Sequence, residues 1–206
     1  TIAGGSLLDP APPRTGVRTA AGRARFTRLG AEGDEPLRAL IEESGNEGLA
    51  VGALASRGGV PADAVETVAA RLIKAGAATR AGHVLIAPAR VASLERALLA
   101  ALAEHHRKHP LVEGMPREEA RERLFPKAPQ AVFDLVVNAL VASKRLVARD
   151  RLALASHKLA LTDEEARARD VIERAFLEAG LKPPHKAAVA AQAGVEADVV
   201  DRRATL

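Results

Sequence analysis

Three histidines within five residues, His105, His106 and His109, are the first group whose type and spacing suggest chemistry. On a helix His105 and His109 share a face at i, i+4, the separation at which two imidazoles hold a metal. No third ligand follows at a fixed interval, so no metal site is expected. With Arg107 and Lys108 the cluster instead fits the end of a long helix, whose carbonyls favour positive charge.

A second group is basic. Lys144, Arg145, Arg149, Arg151 and Lys158 fall within fifteen residues and are opposed only by Asp150. Such a run can neutralise several phosphates of an RNA backbone without reading sequence; a solvated hairpin is the alternative. Lys182 and Lys186, beside His185 at a helix start, can meet one phosphate. Arg202 and Arg203 are diluted by Asp198 and Asp201. Arg14, Arg18, Arg23, Arg25 and Arg28 form a third strip, read as a solvated linker in preference to an RNA-facing surface.

Catalytic patterns are missing. The sequence holds no G-x-x-x-x-G-K-S/T, no G-x-G-x-x-G and no Ser in G-x-S-x-G. It has no Cys, which removes thiolate metal sites, disulfides and a cysteine nucleophile. The 206 residues are therefore not expected to form an enzyme or to hold a cofactor.

The elements that would position the basic groups must be helical for the most part. Hydrophobic residues make up 48% and charged residues 27%, as in a folded soluble chain, whereas aromatics are only 2%. Ala- and Leu-rich packing favours helices over sandwiches or barrels. The longest apolar run, Ala97 to Ala103, is too short to span a membrane, and a cytoplasmic monomer is expected. The net charge of +4 lies entirely in residues 1–30; residues 31–206 are neutral overall, although 93–161 carry +4.

An internal repeat supplies the architecture. Val65 to Ala87 matches Phe133 to Ala155 at a shift of 68 without gaps. Val68, Leu72 and Ile73 fall on Val136, Leu140 and Val141 at helical spacing, and Val84 and Ile86 fall on Leu152 and Leu154 at strand alternation. Each copy reads as a helix and a hairpin, with tips at Ala81-Gly82 and Arg149-Asp150. A third copy starts at Gly194, where Gly194 to Asp201 matches Gly59 to Glu66. Two further helices precede each shared helix: Glu35 to Ser44 and Val51 to Arg57, Val91 to His109 and Pro116 to Leu124, Asp163 to Ala179 and His185 to Ala193. Three helices and a two-stranded wing in about 67 residues make a winged-helix domain.

Three segments resemble one family. Thr1-Ile2-Ala3-Gly4-Gly5-Ser6-Leu7-Leu8-Asp9-Pro10, followed by Pro12-Pro13-Arg14, resembles the closing strand of the β-barrel third domain of selenocysteine-specific translation elongation factors. Ala3 stands where that motif has Gly. His106 to Glu119, with His109-Pro110-Leu111, Gly114-Met115 and Arg117-Glu118-Glu119, resembles the family's H-x-x-x-P-L-x-x-G-M-x-R-E-E-L segment, whose His falls on His106. Gly180-Leu181-Lys182-Pro183-Pro184 is similar to its G-L-x-P-P.

The fold expected is mainly α with small β wings, as tandem winged helices. Residues 1–13 are expected as the last strand of a barrel, 14–33 as an Arg-rich linker, 34–92 and 93–161 as complete modules, and 162–206 as a truncated third. The resemblance implies an arm linking a GTPase body that carries selenocysteyl-tRNA to the selenocysteine-insertion hairpin of messenger RNA on the ribosome. By the same resemblance, GTP and magnesium belong to a domain before Thr1, and a fourth winged helix follows Leu206. A tandem winged-helix DNA-binding regulator and a protein-interaction scaffold are the rival readings. The neutral third helices, with Asp63 and Glu66 against Arg71 and Lys74 and with Asp134 and Asn138 amid Val and Leu, weigh against major-groove reading.

Overall fold

Thr19 opens the first helix: its hydroxyl accepts the Gly22 N–H at 3.1 Å and so caps α1 (Ala20–Leu29). The computed structural model describes residues 4–5, 7–13, 16, 18–109, 112–157 and 174. The chain divides into two compact units, residues 1–109 with 113–157, and residues 110–112 with 158–206. Lys158 of the expected second module lies outside the described residues, as does the expected third module with Lys182 and Lys186 apart from Arg174.

The first unit holds two winged-helix modules. In the first, α2 (Glu35–Glu43) is followed by β1 (Leu49–Ala50), α3 (Ala53–Ser56), a 3-10 turn (Ala62–Ala64), α4 (Val65–Lys74), β2 (Thr79–Ala81) and β3 (Val84–Ile86). In the second, α5 (Pro88–Lys108) leads to β4 (Met115–Pro116), α6 (Arg117–Leu124), α7 (Gln130–Ala142), β5 (Leu146–Ala148) and β6 (Arg151–Leu154). Each wing is an antiparallel three-stranded sheet, ordered β1-β3-β2 and β4-β6-β5.

The repeat reaches down to individual hydrogen bonds. Ala77 N–H donates to Leu72 O and, 68 residues on, Arg145 N–H donates to Leu140 O, both at 2.9 Å. Helices α4 and α7 thus end in the same Schellman turn, which needs a left-handed residue. Gly76 (φ 68°) fills that position in the first copy and Lys144 (φ 57°) in the second.

Several expectations need correction. Residues 20–29 of the expected linker are a helix: Ala and Arg are strong helix formers, and buried Leu29 joins the first core. The described part of residues 1–13 forms no strand and pairs with none; buried Asp9 holds it by ion pairs instead. The long helix begins at Pro88, three residues before Val91, because Pro is favoured at the first helical position after extended Ala87. The junction between the modules therefore falls at residue 87 rather than 92. The first hairpin closes at Ala81↔Val84 around Gly82-His83, and the second at Ala148↔Leu152 around three residues.

The modules are joined by a shared strand. β3 is buried on both faces. Leu85 points into the first core with Leu40, Leu54 and Leu72, while Val84 and Ile86 enter the second with Leu98, Val136 and Leu140. Burying each of those two side chains contributes about 1.5–3 kcal/mol. Beside this seam Arg90 Nε donates to Asn46 Oδ1 at 2.6 Å, and Asn46 Nδ2 donates to Pro126 O at 3.4 Å.

Candidate nucleic-acid interface

The second wing gathers the described basic residues of the middle group. Lys144 and Arg145 connect α7 to β5, Arg149 and Asp150 form the turn between β5 and β6, and Arg151 opens β6. All five side chains are exposed. Ala155 N–H donates to Arg145 O at 3.1 Å, which closes the root of the hairpin. At its far end Arg151 Nη1 donates to Gly114 O at 3.0 Å. Gly114 must be glycine there, since a Cβ would collide with Leu152 O of the neighbouring strand. From Lys144 to Arg149 the ribbon spans about 17 Å, the axial length of about five phosphates on one strand of a duplex.

Charge pairing separates this wing from the first. In the first wing, Arg80 donates to both carboxylate oxygens of Glu66, at 2.6 and 3.2 Å. The repeat equivalent of Glu66 is Asp134, and it is taken by Arg117 of α6 at 2.6 Å and by Gln130 at 3.1 Å. Among the described residues, none of Lys144, Arg145, Arg149 and Arg151 forms an ion pair.

The N-terminal arginines divide differently. Arg25 bridges Asp9 (2.5 Å) and Glu43 (2.7 Å), and Arg28 bridges Glu35 (2.5 Å) and Glu42 (2.7 Å). Both clamp α1 to its surroundings, so neither offers an open charge to RNA. Arg18 and Arg23 are exposed, with Arg23 Nη1 on Arg18 O at 3.1 Å, and Arg14 lies outside the described residues. Asp9 also accepts from Arg57 at 2.8 Å and from Ala11 N–H at 3.0 Å. The Arg57 guanidinium, with the Ala11 amide and Arg25, outweighs burial and holds the Asp9 carboxyl well below the usual carboxylate range. A cleft of about 570 Å³ opens beside this network, lined by Pro12, Pro13, Phe26 and the neutralised Arg25 and Arg57. It presents no free charge of the kind a phosphate needs.

The histidines meet a partner that spacing could not reveal. His106 is buried and stacks on His157, with ring centres 3.6 Å apart at 14°, while His105 lies 5.1 Å from His109. The two stacked residues are 51 positions apart, and nothing in the local pattern around Ser156-His157 signals the contact. Among the described residues no three His, Asp or Glu side chains are arranged to hold a metal ion. Nor, among them, is any helix long and apolar enough to cross a membrane.

Two comparisons relate the sequence to known proteins. Residues 99–153 match the family model described as elongation factor SelB, winged helix. A selenocysteine-specific elongation factor of Desulfomicrobium baculatum is 30% identical over 106 residues, half of this chain. The aligned stretch covers 17% of that relative's length. The matched residues run from within α5 to within β6, so the family model covers the second module and its basic wing. The second module and its basic wing are therefore similar to the winged helix of the SelB elongation factors.

Proposed function

We propose that this chain is a positional arm in selenocysteine incorporation, connecting a tRNA-carrying GTPase body to the selenocysteine-insertion hairpin of messenger RNA. In this reading its residues perform no reaction, and GTP and magnesium serve the body rather than the arm. The setting is the cytoplasm, at the ribosome.

The observation that carries the reading is the contrast in charge pairing. Lys144, Arg145, Arg149 and Arg151 stand on one exposed ribbon without an acidic partner among the described residues, whereas Arg80 of the first wing is paired with Glu66. A ribbon of this kind lies along a phosphate backbone and fixes position without specifying bases. The strand β3 shared by the two cores supports the rest of the role, because a spacer must not bend at its own joints.

Filter binding at two salt concentrations tests it. A selenocysteine-insertion hairpin should bind with an affinity that falls steeply with salt, and more tightly than an unrelated DNA duplex. Equal affinity for the DNA would support a transcription regulator. No affinity for either at low salt would support a protein scaffold.

A further inference from the structure

The inward stripe of α5 runs Leu94, Leu98, Leu102 and then His106, each four residues after the last and each at most 7% exposed. Three aliphatic side chains followed by a buried imidazole demand a polar partner. That partner is the wing. Leu154 N–H, on the last residue of β6, donates to His106 Nε2 at 3.2 Å. Strand β4 cannot supply this acceptor, because its register with β6 covers only Met115↔Leu152 and Pro116↔Arg151.

We propose that His106 is the positioning residue of the second wing: its uncharged ring holds the Leu154 N–H, and protonation releases the root of the hairpin that carries Lys144, Arg145 and Arg149. Acceptance at Nε2 requires the proton on Nδ1, whereas an imidazolium has no free lone pair and would set donor against donor. The His157 ring covers one face of His106. Among the described residues, the titratable groups that bear on His106 are His157, just past β6, and His105 of α5, while α6, α7 and β6 bring Ala120, Val136 and Leu152 to the second core. Burial first, then His157 and His105, depress the His106 pKa, so the ring is neutral at pH 7 and charges only on acidification.

The consequence for RNA rests on the phosphate-contact reading; the lock itself does not. NMR on the whole chain between about pH 7.5 and pH 5 follows the His106 ring nitrogens and the exchange of the Leu154 amide. The two should change with one midpoint. In His106→Gln, whose side-chain carbonyl accepts without titrating, Leu154 should stay protected throughout. Affinity for a labelled RNA hairpin of unrelated sequence should fall about fivefold as His106 charges, although added positive charge alone would tighten binding. The glutamine variant should lose that fall.

Leu154 protection that stays constant while His106 titrates overturns the proposal. If His106→Gln does not fold, the wild-type titration decides alone. If the lock titrates as described but Arg145→Ala with Arg149→Ala leaves RNA affinity unchanged, the positioning stands and the phosphate reading falls.

Discussion

The two wings descend from one sequence pattern and are used in opposite ways. Ala81, 3% exposed, lies in the second module's core, and Gly82 sits so near α7 that a Cβ would come within 3.1 Å of Ala131 Cβ. Their equivalents in the second wing are Arg149 and Asp150, both exposed. The one basic side chain of the first hairpin, Arg80, is neutralised by Glu66; its counterpart is Ala148, Asp134 is taken by Arg117, and among the described residues no acid pairs with the second wing. A small, satisfied wing makes a joint and a charged, unsatisfied one makes a surface. The scaffold is the same, and tip residues and acid pairing set the use.

Transplanting the second tip onto the first is the harshest test of that contrast. Ala81→Arg with Gly82→Asp would put two unpaired charges at the seam, lowering the unfolding free energy by about 3 kcal/mol or more in a denaturant titration. Gly114→Ala comes next. Its methyl group collides with β6, and a loss of about 2 kcal/mol in the same experiment is expected, with the second wing disturbed and the first intact.

Asp9→Asn tests the paired half of the molecule. The side chain of Asp9 is 2% exposed but its partners Arg25 and Arg57 are 12% and 25% exposed, so the loss should stop at about 2 kcal/mol. Because its folded pKa is depressed, the Asp9 contribution is present above an unfolded pKa of about 4 and is lost as pH falls below it. Thermal unfolding should show that loss in the wild type and not in Asp9→Asn. The smallest effect has the opposite sign. Lys144→Gly relieves a left-handed lysine and should stabilise the chain by about 1 kcal/mol, while weakening RNA binding through the missing charge.

Much of this was legible because burial wrote a period into the sequence. Val68, Leu72 and Val136, Leu140 announce the shared helices, and the 68-residue shift announces two copies. Helix α1 was not legible, since its Ala-Arg composition carries no broad apolar stripe and its docking depends on distant Asp9, Glu35, Glu42 and Glu43. The third strand of each sheet is two residues long, too short for alternation to show. For the site, the second wing's basic residues could be picked out by composition. That they have no acid partner among the described residues could not, because ion pairing is set by tertiary contacts such as that of Arg117 with Asp134. The His106–His157 stack depends on tertiary contact alone.

The central claim is that the second wing, and not the first, meets phosphate. The most direct measurement is the salt dependence of binding to a selenocysteine-insertion hairpin for the wild type, Arg145→Ala with Arg149→Ala, and Arg80→Ala. The slope of log K against log salt should shrink by about 2 for the second-wing pair and stay unchanged for Arg80→Ala. Identical slopes for all three proteins, or a loss confined to Arg80→Ala, would contradict the account.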